Sequence, residues 1–459
     1  MGNCEGFASG TIDLGGLEVC KVSNLTEIWA AHEGGPGNLG ATIFEPFQLP
    51  EGFSMLALEP PTDYTLVWSS ETLKIKQDFN GYFWLPTPPN GYRAVGHVVT
   101  SPLEKPPLEK IRCVSSDFAD VCEIESWIWG PGEEINSNGF NIHSLRPTVR
   151  GVQALGHSAG TIVAQNGEGA PSVTCLRNSK ADFLAMPNLS QIQALFQAYS
   201  PWIYFHPDEQ YLLSLVSWFF EHGALLYKKK EESKHTPIEH PPPPPRGQTS
   251  HKEEVKKGNL QGAGVYLHVK PMFGAIFTDI ATWVFYPSNG PARAKVKFMN
   301  VSLGKIGNML GIGNTGLLRI SNFNGELNAV YFSEHSGGMW VSSPELEFQG
   351  GNKPAGLVLQ GSDEIGMRND MGKGNMVLDA GERFLVVAAE YLGPSSVVEP
   401  PWLNYAREWV PKIEYSIEDE LKKSEKILPS KLKSKFEKIV GNLPKPKEVL
   451  GGKAQLGPK

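Results

Sequence analysis

Several short stretches of the sequence carry side chains able to do chemistry. His206-Pro-Asp208-Glu209 puts an imidazole and two carboxylates within four residues, a donor set suited to half a divalent-metal site or to an acid–base pair. Glu334-His335, in YFSEHSGGMW, is a second carboxylate–imidazole neighbour. Neither can hold an ion alone, because three or more converging ligands are needed. By local pattern His206–Glu209 is a strand end running into a Pro-Asp turn, and His335 is a hairpin residue.

Two further motifs spell known chemistry. Gly156-His-Ser158-Ala-Gly160 has the form G-x-S-x-G, but a nucleophile elbow needs a helix after the serine to build its oxyanion hole. Here TIVAQNGEGAPS follows, a strand running into a Gly/Pro turn. The triad order Ser…Asp…His is met only through Asp279 or Asp379 and scattered histidines, so the stretch is read as an exposed hairpin. Gly311-Ile-Gly-Asn-Thr-Gly316 has the form G-x-G-x-x-G. A dinucleotide fingerprint opens a helix, whereas LLRISNFNGELNAVYFS reads as strand and Asn-Gly turn. The glycine-rich segment is therefore expected to be a loop.

The bulk numbers set the frame for these residues. At 459 residues the chain is too long for one core, and two or three domains are expected. Gly 49 and Pro 36 favour a turn-rich β architecture over a helical one. A net charge of −7 argues against nucleic acid as a partner. No apolar run approaches the roughly 18 residues of a membrane span. The N-terminus has no apolar signal region, so a reducing, cytosolic compartment with free cysteines is expected. Met1-Gly2-Asn3-Cys4 has the form of a doubly acylated start, with Gly2 and Cys4 as lipidation candidates. Gly6 stands where that motif prefers Ser or Thr, so an unmodified terminus is the reading kept.

Short apolar runs punctuated by Gly and Pro fill residues 10–180 and read as strands. FQLPEGFSMLAL (47–58) and TPPNGYRAVGHV (87–98) echo one another, with Gly52 and Gly91 39 residues apart, which suggests a repeated, β-prism-like module. The resulting division is a β-prism-like domain at 1–185, a linking helix at 186–202, and a β-sandwich-like domain at 203–415. A helical or flexible tail follows at 416–459. Within the helix, Asn188 or Ser190 is placed to cap NLSQIQALFQAYS. The charged, proline-rich insert 228–259 is expected to be a mobile loop of polyproline II character, with Pro241–Pro245 a candidate proline-recognition segment. In the tail, Ser416 and Asp419 have capping-box spacing and Pro429 divides two amphipathic stretches.

Taken in order, several segments resemble one family, the plant family named after the vacuolar protein sorting-associated protein 62. They are GNLGATIFEPFQLPEGF, DYTLVWSS, GYFWLPTPPNGYRAVGHVVT, RCVSSDFADVCE, MPNLSQIQALFQAYSPWIYFHPDEQYL, FTDIATWVFYPSNGPARAKV, LRISNFNGEL with YFSEHSGG, and EPPWLNYAREW. The resemblance implies a place for a polar run, His-x-Gly-Asp-Trp-Glu-His, at 309–315. This chain has Met309-Leu-Gly-Ile312-Gly-Asn314-Thr315 there. A Gly-His-Ala element expected after GGNKP is also missing, since GGNKPAGLVLQGS runs straight on. The family pattern is further similar to the necrosis-inducing cytolysins, which implies a cation site whose remaining candidates would be His206, Asp208, Glu209, Asp279 and His335. Met, Ile, Gly and Thr cannot coordinate a hard or borderline dication, so no metal and no cofactor are expected.

The leading expectation is a non-enzymatic binding or scaffold protein of this family, cytoplasmic or peripheral to a membrane and connected with trafficking. Its partner would be a protein, a glycan or a membrane surface. Alternatives are a divalent-cation-dependent, cytolysin-like membrane or glycan binder, and a truncated or mispredicted family member.

Overall fold

A computed structural model describes residues 6–22, 24–46, 57–130, 139–167, 169–180, 183–205, 209–222, 227–228, 236–237, 251–288, 293–296, 299–302, 311–334, 337–359, 366–368, 376–403, 417–426, 428–430, 432–434 and 436. For 227–228, 236–237, 251–253, 293–296, 299–302, 311–315, 334, 337, 357–359, 366–368 and 417–420 it describes the backbone alone. The chain is mainly β and divides into two units. The first comprises Met1–Pro187, Pro271–Thr278 and Ser321–Glu326, and the second Asn188–Lys270, Asp279–Ile320 and Leu327–Lys459.

The first unit is organised by one local pattern used three times. Leu25–Ala31 pairs with Ala41–Pro46, Asp63–Ser69 with Tyr82–Thr87, and Cys122–Trp129 with Phe140–Pro147, all antiparallel. In each first strand the register skips one β-branched residue, Ile28, Val67 or Ile128, directly before a tryptophan. A bulge of this kind bends the strand and re-aims the side chain that follows. The three side chains it aims, Trp29, Trp68 and Trp129, enter a single core with Phe83, Phe140 and Ile142. Trp29 and Trp129 meet edge to face at 5.1 Å, as do Trp68 and Trp129 at 5.9 Å. Such geometry matches the positive ring edge to the negative ring face. The indole N–H groups of two of them are satisfied, Trp29 by the Gln77 amide oxygen at 3.2 Å and Trp129 by the Glu33 carbonyl at 2.6 Å.

The second echo segment follows the second hairpin and RGVQALGH follows the third, with Gly91 at φ 83° and Gly151 at φ 113°. A left-handed backbone favours glycine at both places. A second core of this unit gathers Ile12, Leu14, Leu17, Val114, Leu176 and Ile276 from short strands and turns.

Among the described residues, the second unit is built on one hydrogen-bonded sheet of eleven strands. Its path runs Val377–Asp379, Trp202–Tyr204, Lys353–Leu359, Gly366–Arg368, Leu327–Glu334, Gly311–Ser321, Phe277–Tyr286, Val265–Met272, Phe384–Ala389. Gly337–Ser342 and Phe348–Gln349 pair off this path. Trp202–Tyr204 runs parallel to Lys353–Leu359, and Val265–Met272 parallel to Phe384–Ala389. The near-continuous burial of Phe277–Tyr286 agrees with an interior strand covered on both faces.

The helix Leu189–Tyr199 carries a capping box in which the Asn188 side chain accepts from the Gln191 N–H and the Gln191 side chain accepts from the Asn188 N–H. The box settles the capping residue as Asn188 and satisfies two otherwise orphan amides. Its buried face is Ile192 and Phe196, and Phe196 packs on Phe384 at 4.9 Å.

Two expectations change. The segment Gly311–Gly316 is part of the strand Gly311–Ser321, a correction of the loop reading. Glycine is tolerated there because the neighbouring backbone comes close: a Cβ on Gly316 would stand 2.8 Å from the Tyr331 carbonyl oxygen. Within the insert 228–259, His251–Lys257 is helical and Thr236–Pro237 pairs with Tyr227–Lys228, so the insert is not uniformly loop. Pro241–Pro245, Ser416 and the echo segment 47–56 lie outside the described residues.

Candidate functional site

Among the described residues of the predicted ligand set, Asp279 is the buried one. It lies on the buried strand Phe277–Tyr286 and is 2% exposed. The neighbouring strand delivers Arg319, whose Nε donates to Oδ1 and whose Nη2 donates to Oδ2, each at 2.8 Å. Such a bidentate, charge-assisted fork is among the strong hydrogen-bonded pairings a carboxylate makes. The guanidinium carbon in turn lies 4.0 Å from the Trp340 ring centroid, a cation–π contact. Trp340 stands opposite Tyr331 in the sheet register, with ring centroids 5.3 Å apart. Carboxylate, guanidinium and two aromatic rings thus form one row across four adjacent strands.

This row decides what Asp279 can do. A buried carboxylate must be paired, and here each of its oxygens already accepts a charged hydrogen bond. A dication at Asp279 would have to displace the Arg319 guanidinium and then lie within reach of its positive charge.

The other predicted residues fall differently. His206, Asp208 and His335 lie outside the described residues, as do Gly2 and Cys4, and the side chain of Glu334 is not described. Glu209 folds back on its own chain, its Oε1 accepting from the Gln210 and Tyr211 N–H groups at 2.8 Å each. Burial, with the Glu209 charge second, pushes the Tyr286 phenol well above its ordinary range. The Tyr286 hydroxyl is buried with no hydrogen-bond partner among the described residues. Among those residues no three His, Cys, Asp or Glu side chains converge as a ligand group.

Ser158 is exposed, between the strands Gly156–His157 and Ile162–Asn166, and its Oγ accepts from the Gly160 N–H at 3.3 Å. The following strand leaves no helix N-terminus to stabilise an oxyanion. The G-x-G-x-x-G glycines likewise lead along a strand, without the helix that would receive a pyrophosphate.

One polar pair escaped sequence reasoning. His268 Nε2 lies 2.6 Å from Glu390 Oε1. The two are 122 positions apart and meet through the parallel pairing of Val265–Met272 with Phe384–Ala389. No local pattern announces such a pair. Burial, then the charge of Lys270, lowers the imidazole pKa against the opposing pull of Glu390. Glu399, whose charge also reaches His268, lines a cavity of ≈ 290 Å³ with Ala389, Leu392, Pro394, Val397 and Val398.

Comparison with known proteins bears on the whole chain. The family model described as vacuolar protein sorting-associated protein 62 matches residues 1–58 and 55–459. No curated protein matches the chain. Among solved structures it is similar to the crystal structure of GNIP1Aa from Chromobacterium piscinae, at 16% identity and a TM-score of 0.23. That similarity covers 42% of this chain and 37% of the other.

Proposed function

This chain belongs to the vacuolar protein sorting-associated protein 62 family, and from that premise we propose that it is a non-enzymatic binding or scaffold module. In this reading the first unit is β-prism-like, in keeping with its three matching hairpins. The second is β-sandwich-like. The partner is a protein, a glycan or a membrane surface, and the setting is cytoplasmic or peripheral to a membrane, in trafficking as the family description suggests. No described helix is long and apolar enough to cross a bilayer.

The observation that carries the reading is the bidentate Arg319–Asp279 pair. It turns the best-placed of the candidate cation ligands into a structural group. The cation-dependent alternative needs that carboxylate free.

Calorimetry on the intact chain with Ca²⁺, Mg²⁺, Mn²⁺ and Zn²⁺ tests this directly. No binding heat is expected, and micromolar, stoichiometric binding of any of the four would overturn the reading. Liposome flotation of the intact chain beside one lacking residues 1–8 then locates recognition. Retention by the shorter chain supports recognition by the β units, whereas loss would assign it to the segment holding Gly2 and Cys4.

A further inference from the structure

Four cysteines of the first unit, Cys20, Cys113, Cys122 and Cys175, are free thiols in the structure, and two of them face each other. The antiparallel pairing of Ala119 with Leu176 and Asp120 with Cys175 sets Cys175 opposite the residue two before Cys122. The Cys122 thiol donates to the Val173 carbonyl oxygen at 3.0 Å. Val173 lies two residues before Cys175, so the Cys122 and Cys175 side chains lie close together. Both enter one small core with Ala94, Leu145, Val163 and Val173, and a hydrogen bond joins the two side chains.

We propose that Cys122 and Cys175 are a redox pair that closes to an intramolecular disulfide when the chain meets a small-molecule disulfide such as oxidised glutathione. Their chemistry is unequal in the way such exchange needs. The hydrogen bond from Cys175 holds the Cys122 thiol below its usual range, while the same contact raises Cys175. A thiolate is the attacking species, so Cys122 attacks first. It is also the more accessible of the two, at 8% exposed against 1%.

The steps balance. The Cys122 thiolate attacks one sulfur of oxidised glutathione, forms a mixed disulfide and releases one glutathione thiolate. Cys175 then loses its proton as its sulfur attacks the Cys122 sulfur, and the second glutathione leaves as a thiolate. The two protein thiols are oxidised by two electrons and the glutathione disulfide is reduced to two glutathiones. Cys113 lacks this route: burial alone raises its thiol, to about 11.

The bond would tie the strand Cys175–Arg177 to the start of the strand that carries Trp129 into the core. It closes the long segment between the two cysteines, including the third hairpin. Cross-links of this kind stabilise chiefly by constraining the unfolded chain.

The test uses the purified full chain, reduced, desalted and then exposed to oxidised glutathione. Intact mass is expected to fall by two hydrogens with no glutathione retained, and peptide mapping should find one Cys122–Cys175 link. The melting temperature should rise by about 5–10 °C and return on reduction with dithiothreitol. In Cys175→Ser the first step has no successor, so one glutathione should remain on Cys122. In Cys122→Ser neither link nor adduct at Cys175 is expected. An unchanged mass for the wild-type chain, or adducts confined to the more exposed Cys20, would overturn the proposal. The wild-type measurement stands even where a serine variant fails to fold.

Discussion

Trp68 lies flat against Phe140, with ring centroids 4.0 Å apart and ring planes 5° from parallel. The two residues come from the second and third hairpins of the first unit, so this stack joins repeats that are distant in sequence. Trp68→Ala empties the centre of the aromatic core, and truncation of a buried aromatic costs about 3–5 kcal/mol. Trp29→Ala and Trp129→Ala occupy the matching positions and should cost similar amounts. Urea unfolding of the first unit, followed by tryptophan fluorescence, measures all three. A loss under about 1 kcal/mol at any one position would show that the three hairpins are not energetically equivalent.

The Asp279–Arg319 pair makes the second prediction. Removing one partner strands the other as a buried charge, so Asp279→Ala and Arg319→Ala should each destabilise by about 3–5 kcal/mol. The double replacement Asp279→Leu/Arg319→Met removes both charges and should be less damaging than either single change. Thermal melts of the set decide the matter. A silent Asp279→Ala would mean that the carboxylate is not structurally engaged.

What the sequence discloses and what it conceals follows from distance along the chain. The cap of the helix is local enough for the sequence to narrow it to Asn188 or Ser190, and Gln191, three positions after Asn188, completes the box. The three core tryptophans are not legible in this way, because their spacings of 39 and 61 residues differ and no fixed period reveals them. Each does follow a β-branched residue, Ile28, Val67 or Ile128, and that dipeptide is the signal a repeat search could have used. Arg319 is 40 residues from Asp279, so nothing local shows that the carboxylate is already paired. The Gly311–Gly316 stretch misled for another reason: glycine lowers strand propensity, but close packing against the Tyr331 carbonyl requires the missing side chain at Gly316.

Gly81 supplies a third prediction. A Cβ at this position would stand 2.8 Å from Trp29 Nε1 and 2.9 Å from its Cδ1. Trp29 is fully buried and cannot swing away. Gly81→Ala should therefore destabilise by about 1–3 kcal/mol as an overpacking change, visible as a lower urea midpoint. Gly91→Ala, open around its Cβ but at φ 83°, should cost about 1 kcal/mol through backbone strain alone.

The helix cap gives a local control. Asn188→Ala removes the oxygen that accepts from the Gln191 N–H at 3.0 Å and should cost about 1 kcal/mol. Asn188→Ser or Asn188→Asp should restore most of it, since either oxygen can accept the same bond. Chemical denaturation of the three variants separates a capping role from loss of the asparagine side chain in general.

Acid sensitivity of the first unit follows from its buried histidines. Burial pushes His97 and His157 down to about 4. His157 Nδ1 has no partner among the described residues, and His97 Nδ1 accepts from the Ala164 N–H at 3.3 Å. In the unfolded chain both rings titrate near their ordinary value of about 6.5. Between about pH 6.5 and about pH 4 the unfolded state therefore binds more protons than the folded one, and stability rises with pH across that window. Stability is full above about pH 6.5 and falls as the solution is acidified toward about pH 4, by on the order of 3 kcal/mol for each ring. His143 moves the same way through burial. Urea titrations at about pH 7 and about pH 5 should show the loss, and His157→Gln, which cannot take up the proton, should flatten the slope between them. An unchanged slope in that variant would show that His157 titrates normally in the folded chain.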